Sequence, residues 1–320
     1  MDRQKRQRKK RVFKILLIFF ILIIAVFSYG FYQYYQGLQL ANVDQEAPTK
    51  EKNQEEEFQG ATIENNIGKV NILLLGIDAR DEEQSRTDTI MIAQYDPKTE
   101  SAKLVSLMRD IYVEIPEHQS YKINTAFFLG GPELLRKTIK TNFDIDLHYY
   151  AIIDFKGFEK AVDALAPVGI EIDVEKAMSE QIGVSLQPGL QNLNGKELLG
   201  YARFRADAEA DFGRVRRQQV VVNALKDEVI SVNGVTKLPK LVGTVTPYIE
   251  TNLQTLEIMG LLKDFILHPP DHIDTLRIPV DDSYVDASYP HAGAVLEINK
   301  EMNKQAIDEF LNLGGLETTN

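Results

Sequence analysis

The sequence predicts an α/β domain, built on a sheet with helical crossovers and preceded by a transmembrane helix. Three observations predict it. Apolar runs at Val70 to Ile77, Thr89 to Tyr95 and Leu104 to Met108 have the length and the β-branched, Leu-rich content of strands covered on both faces. Further on, a strand-like Tyr149 to Ile153, a helix-like Phe155 to Leu165 and a strand-like Gly169 to Val174 alternate, as they do where helices cross between strands. Near the N-terminus eighteen residues, Ile15 to Tyr32, carry no charge.

That uncharged run, at about 1.5 Å per helical residue, nearly crosses a hydrocarbon layer of about 30 Å. It follows a tail, residues 1–14, with eight basic residues against the single acid Asp2, so the positive-inside rule keeps the N-terminus in the cytoplasm and places the rest outside. A cleaved signal peptide competes with this reading, but no small-x-small cleavage site follows promptly. The expected organisation is a basic tail (1–14), a signal-anchor helix (15–35), a polar spacer (36–68) and one large domain (69–320), in a single-pass type II arrangement. Removing the tail's eight basic residues and one acid from the chain totals of 36 and 47 leaves 28 and 46, a formal charge of −18 for the external part. Such a surface repels polyanions, so any anionic substrate must be held by a local basic cluster. Cysteine is absent, which excludes disulfide scaffolds, thiolate metal sites and cysteine nucleophiles, and the five histidines are too scattered for a zinc site.

The first strands end in charges: Asp78 after the first run, Arg86 and Asp88 before the second, Arg109-Asp110 after the third. If these ends share one edge of a sheet, they meet where open α/β sheets bind ligands. Carboxylates beside guanidinium forks suit a phosphate-bearing molecule with a divalent cation. Solvated loop charges in surface ion pairs are the competing reading. A short strand is expected at Ile111 to Ile115, ended by Pro116, and Pro132 opens a helix to about Asn142. Lys122 reads more readily as a solvated lysine than as a phosphate contact.

A second charged cluster lies at Tyr201-Ala202-Arg203-Phe204-Arg205 and Asp211-Phe212-Gly213-Arg214-Val215-Arg216-Arg217-Gln218. An Asn194-capped helix leads to it, and a chain extended after Ala202 would point Arg203 and Arg205 the same way. A helix from Phe212 to about Val232 would align Arg214 with Gln218. A charge run of this kind is usually a solvated face; Phe204, Phe212 and Gly213 interleaved with it argue otherwise. Beyond it, a helix capped near Thr251 to Gln254, a strand at Ile273 to Val280 and a closing helix from Asn299 to Leu311 complete the expected elements. Their apolar faces read as core, with a lipid groove as the other use. Serine-hydrolase, P-loop, dinucleotide and zincin signatures are missing.

The set LLLGIDAR, RTDT, Ser106 to Asp110, KINTAF, Gly130-Gly131, YARFR and DFGRVRRQQ, behind an N-terminal anchor, resembles the LytR-CpsA-Psr family of Gram-positive cell-wall enzymes over about Lys69 to Leu225. That resemblance implies an α-β-α sandwich around a central mixed sheet, with a long hydrophobic pocket for a polyprenyl chain. It also implies a phosphotransferase that moves an anionic glycopolymer of the wall teichoic acid or capsule type from a polyprenyl-pyrophosphate carrier to peptidoglycan. By the same resemblance, Asp78 and Asp88 hold Mg²⁺ or Mn²⁺, and Arg86, Arg109, Arg203, Arg205, Arg214 and Gln218 bind the pyrophosphate. Asp211 organises the arginines, while Asp88, Asp110 and Arg109 serve catalysis. Two departures from the family pattern stand at Met108, usually proline, and at Ala166-Pro167, usually Gly-Gly. A cell-envelope regulator or attenuator without catalysis, and a polyprenyl-pyrophosphate-binding hydrolase, are the alternatives. Contact with nucleic acid is not expected, since no helix-turn-helix is present and the cytoplasmic part is about fourteen residues.

Overall fold

The structure, a computed structural model, describes residues 28–39, 56–62, 69–78 and 87–312. A helix at 28–39 (α1) comes first. Then β1 (Val70–Ile77), β2 (Thr87–Asp96) and β3 (Ser101–Leu107) form an antiparallel meander, and a ribbon of β4 (Tyr112–Val113) and β5 (Tyr121–Lys122) leads into α2 (Ile123–Phe143). Next come β6 (Tyr149–Asp154), α3 (Phe155–Leu165), a ribbon of β7 (Ile170–Val174) and β8 (Gly189–Leu193), α4 (Gly195–Arg203), α5 (Ala210–Ile230) and α6 (Val232–Val245). The last elements are β9 (Ile249–Thr251), α7 (Thr255–Leu267), β10 (Ile273–Ile278), a hairpin of β11 (Tyr284–Tyr289) and β12 (Gly293–Ile298), and α8 (Lys300–Asn312).

The main sheet runs β10-β3-β2-β1-β6-β9, parallel at β1–β6 and β3–β10 and antiparallel elsewhere, so the α/β expectation and its central mixed sheet hold. But β7 pairs with β8 in its own ribbon, and α3 is not the crossover between sheet strands that the alternation predicts. Because β2 is antiparallel to both neighbours, the end of β1, the start of β2 and the end of β3 meet at one edge, as their charged ends require. Boundaries differ in places. The KINTAF segment belongs to α2 from Ile123, and the kink at Gly130-Gly131, where Gly131 takes a left-handed φ of 61°, separates it from the turn that Pro132 begins. The expected strand at Ile111 to Ile115 shrinks to two residues. Arg203 ends α4 rather than beginning an extended stretch.

One face of the sheet is closed. Leu73, Leu75, Ile90, Ile92, Val105 and Leu107 pack with Ile123, Leu135, Ile139 and Phe143 of α2 and Ile307 and Leu311 of α8 in one core. The alternate residues of the same strands point the other way. There Ile72, Leu74, Ala93, Ala151 and Ile153 are only partly buried and belong to neither core cluster. On α7, Leu256, Met259 and Leu267 are exposed, and no residue of that apolar helix is buried. The expectation that the strands are covered on both faces therefore holds toward β3, where Met91, Ala102 and Leu104 are buried on this second face, and only in part around Ile72, Leu74 and Ala93.

Residues 56–62, within the segment read as spacer, lie along the domain. The Ala61 N–H donates to the Leu147 carbonyl at 2.8 Å, the Gln59 N–H to Glu133 Oε2 at 2.9 Å, and Phe58 packs on Tyr150 at 4.9 Å between ring centres. Among the described residues no helix is long and apolar enough to cross a membrane. The predicted span 15–35 lies outside them up to residue 27.

Helix α1 crosses α6 at a pair of glycines. A methyl group on Gly37 would overlap the Lys240 carbonyl oxygen, and one on Gly243 the Tyr34 carbonyl oxygen, so backbone meets backbone in both directions. Gly243→Leu should therefore release α1, seen as faster amide hydrogen exchange at residues 31–39 of the full chain. Gly260→Ala in α7, where an added methyl meets nothing within 4 Å, should leave that exchange unchanged and stabilise the helix by about 0.5–1 kcal/mol.

Candidate functional site

Arg109 occupies the charged sheet edge. Its Nη1 donates to Asp88 Oδ1, and its Nε lies 3.4 Å from Asp110 Oδ2 and 3.3 Å from Asp211 Oδ2. Burial would lower the guanidinium's pKa, but Asp211, Asp88 and Asp110 outweigh burial and hold it above its ordinary value. Three elements, β2, the turn after β3 and α5, are thereby tied to one side chain. Asp110 also receives Lys122 Nζ at 2.6 Å. Burial would raise this carboxyl, and the Lys122 hydrogen bond with the Arg109 charge carries it below the usual carboxylate range instead. Lys122 is thus a member of the cluster and not the solvated lysine expected; its place opposite Tyr112 in the β4–β5 ribbon is a pairing that no local pattern announces.

Arg214 is buried in the first turns of α5, 3.1 Å from Asp211 Oδ2. Its pKa is lowered, first by burial and then by the Arg109 and Arg205 charges, against the pull of Asp211 and Asp88. Its Nε and Thr244 Oγ1 are, among the described residues, the buried side-chain nitrogen and oxygen atoms that find no hydrogen-bond partner. A buried cation crowded by like charges, with a donor unused, has the chemistry to take an anion. Arg205 is exposed in the loop after α4. Arg203 lies on the Phe155 ring, 4.3 Å from its centre, and 3.9 Å from Asp78 Oδ2. Gln218 Nε2 donates to Thr89 Oγ1 at 2.9 Å, which seats α5 on β2. Arg86 lies outside the described residues.

Asp78 follows β1 and Asp88 is the second residue of β2, on paired strands whose register shifts between Gly76 and Ile77. No group of three or more potential metal ligands gathers among the described residues. Two carboxylates at an arginine cluster fit a hard cation of the Mg²⁺ type, which completes its shell with water and phosphate oxygens. Met108 gives its N–H to the Ile278 carbonyl at 3.0 Å, a bond proline could not make, so this departure anchors the turn before Arg109 to β10. At the other departure, the Gly169 N–H donates to the Ala166 carbonyl at 2.9 Å in a simple turn.

Arg217, three residues beyond Arg214, has a different task. It is fully buried and donates to Glu175 at 2.7 Å, to the Phe204 carbonyl at 3.0 Å and to Asp207. Those bonds fix the loop that carries Arg205.

Fold and site define an α/β protein with an arginine–carboxylate cluster at the edge of a mixed sheet. The chain belongs to the LytR_cpsA_psr family, whose sequence profile matches residues 31–307. It is 50% identical over 247 residues to the regulatory protein MsrR of Staphylococcus aureus, covering 77% of this chain and 76% of that one. It is 30% identical over 238 residues to the polyisoprenyl-teichoic acid–peptidoglycan teichoic acid transferase TagU of Oceanobacillus iheyensis, covering 72% and 73%. The solved structure of TagT bound to LIIa-WTA superposes with a TM-score of 0.62 at 27% identity, covering 76% of this chain and 91% of that one.

The two buried arginines of α5 should separate on substitution. Arg217→Met removes a fully buried partner of Glu175 and Asp207, which keep Arg216 and Lys176, and should cost about 1.5–3 kcal/mol in chemical denaturation, whereas Arg214→Met removes a poorly compensated charge and should leave stability unchanged or raised.

Proposed function

We propose that this chain is a membrane-anchored phosphotransferase that attaches an anionic glycopolymer, of the wall teichoic acid or capsule type, from a polyprenyl-pyrophosphate carrier to peptidoglycan. The observation that carries the reading is Arg214, a buried guanidinium with an unused donor beside Arg109 and Arg205. The half-open second face of the sheet, apolar and flanked by the uncovered helix α7, supports a site for the carrier's polyprenyl chain. The uncharged run from Ile15 supports a single-pass anchor, with the N-terminus cytoplasmic and the domain outside a Gram-positive membrane.

Arg109, Arg203, Arg205 and Arg214, with Arg86 and Gln218, bind the pyrophosphate and stabilise the charge that grows on the leaving polyprenyl phosphate. Asp78 and Asp88 are the residues that would hold Mg²⁺ or Mn²⁺, which supplies further neutralisation of the phosphate oxygens. Asp211 holds Arg109 and Arg214 in position. A sugar hydroxyl of peptidoglycan, such as the 6-hydroxyl of N-acetylmuramic acid, attacks the polymer-proximal phosphorus. The bond to the polyprenyl phosphate breaks, and a phosphodiester between polymer and wall forms. The hydroxyl proton goes to a carboxylate, Asp88 or Asp110. Lys122 and Arg109 keep Asp110 ionised, so it is in the accepting form throughout the neutral range.

A regulatory reading is favoured by the name of the relatives at 50% identity. The decisive experiment incubates the protein with a polyprenyl-pyrophosphate-linked glycopolymer, Mg²⁺ and un-crosslinked glycan oligomers, and reads the products by mass spectrometry. Phosphodiester-linked polymer on the glycan is expected, falling at least about 100-fold in Arg205→Ala and Arg214→Ala without loss of fold. Free phosphorylated polymer alone would indicate hydrolysis, and binding without turnover a regulator.

The pH profile provides a second check. Because Asp110 is depressed, its ionised form persists as pH falls through the ordinary carboxylate value of about 3.9 and is lost only below it. Lys122→Met removes a partner that lowers this pKa, so the acid limb of the rate should move upward.

A further inference from the structure

The β4–β5 ribbon carries aromatic chemistry that the phosphate site does not use. Tyr112 is the direct partner of Lys122 across the ribbon, so their side chains share a face, and Asp110, two residues before Tyr112, is bound by that same Lys122. The Tyr112 ring stacks on Tyr289, with centres 4.6 Å apart and planes at 21°. His291, exposed at the hairpin tip, lies with its ring centre 5.8 Å from that of Tyr289, and its Nε2 is 3.3 Å from the Tyr112 hydroxyl.

This lane is fixed to the reacting edge. The Leu296 N–H of β12 donates to the backbone carbonyl of Asp110 itself at 2.9 Å, and Ile111 forms a parallel bridge with Leu296. At the tip, the Tyr121 hydroxyl donates to the His291 carbonyl at 2.5 Å. The hairpin and the Asp110 carboxylate therefore keep one geometry.

We propose that Tyr112 and Tyr289, with His291 at their edge, form the acceptor subsite: a platform on which a sugar ring of the glycan stacks, presenting its hydroxyl to the Asp110–Lys122 pair. This rests on the phosphotransfer reading above. Partly exposed tyrosine rings offer an apolar surface to the C–H face of a sugar, while their hydroxyls and an imidazole offer hydrogen bonds to its rim. The polyanionic donor is a poorer occupant. Arg203, Arg205 and Arg214 come from α4, the loop after it and α5, whereas the platform is built of tyrosines and a histidine and borders Glu297; burial first, and then that carboxylate, raise the Tyr289 hydroxyl's pKa. Charge thus favours the donor at the arginines and the acceptor at the platform. Tyr112 and Tyr289 are positioning residues, since they act on the acceptor away from the phosphorus.

The test uses the full chain in lipid nanodiscs. Tyr289→Ala should raise the KM for un-crosslinked peptidoglycan glycan oligomers about tenfold, while donor KM and release of free phosphorylated polymer to water stay at the parent level. Tyr289→Phe, which keeps the ring, should restore the acceptor KM. In a second arm without donor, the same glycan oligomers are titrated by NMR line broadening; saturable binding is expected in the parent and loss of it in Tyr289→Ala. An unchanged acceptor KM and glycan binding in Tyr289→Ala would overturn the platform. So would equal losses toward donor and acceptor that Phe does not rescue, the mark of a hairpin that only holds the fold. If the parent transfers nothing yet binds glycan through Tyr289, the transfer reading falls and the platform stands.

Discussion

The charged edge depends on Arg109 meeting three carboxylates. Asp88, Asp110 and Asp211 come from a strand, a turn and a helix, and no two of them are held together by covalent proximity. Removing the guanidinium would set three like charges against one another in a partly desolvated place. Around this satisfied cation the remaining charges are unevenly matched. Arg214 shares Asp211 with Arg109 and keeps an unused donor, so the carboxylates are spent mostly on Arg109 and leave Arg214 short of acceptors. Local structure is secured by the matched part, and capacity for an external anion lies in the unmatched part.

The same division appears in the packing. The face of the sheet toward α2 and α8 is filled to near-complete burial, which supplies stability without reference to any ligand. The opposite face stays half-open in its middle, where α5 contributes Gln218 and Gln219 in bonds to Thr89 and Ser106. Polar seating at one end of that face and an apolar interior beyond it suit a ligand with a charged head and a hydrocarbon tail. Helix α1 enters by the neighbouring α6, locked there by Gly37 and Gly243, so the chain that leads from the proposed anchor reaches the domain beside the helices of this face.

Much of this was legible in the sequence, and the exceptions have physical causes. The runs of β1 to β3 were plain because their apolar content is dense, and the Asn194 cap was plain because its capping box with Glu197 is local. Helix α6 was not, since VNGVTKLPKLVGTV holds a proline, two glycines and several β-branched residues, and owes its helicity to packing. The β11–β12 hairpin was missed as well, because its strands expose Val285 and alternate weakly. Within the site, Arg203, Arg205, Arg214, Arg216 and Arg217 look alike in sequence. Helix phase and long-range partners sort them: Arg217 is buried among Glu175, Asp207 and a carbonyl, Arg216 reaches outward to Glu209, and Arg214 is left short of acceptors.

The formal charge of −18 on residues 15–320 bears on how such a site can work. Long-range steering of an anionic donor would be unfavourable, yet exposed charges are screened beyond about 8 Å at physiological ionic strength. Binding must then come from short-range contacts in partly desolvated surroundings, where a guanidinium fork is worth most. Under the proposed anchoring, a donor confined to the membrane needs no steering through solution, and an acidic surface does little harm. The concentration of positive charge at Arg109, Arg205 and Arg214 within an acidic chain therefore suits a local contact with one anionic group and not long-range attraction of a polyanion.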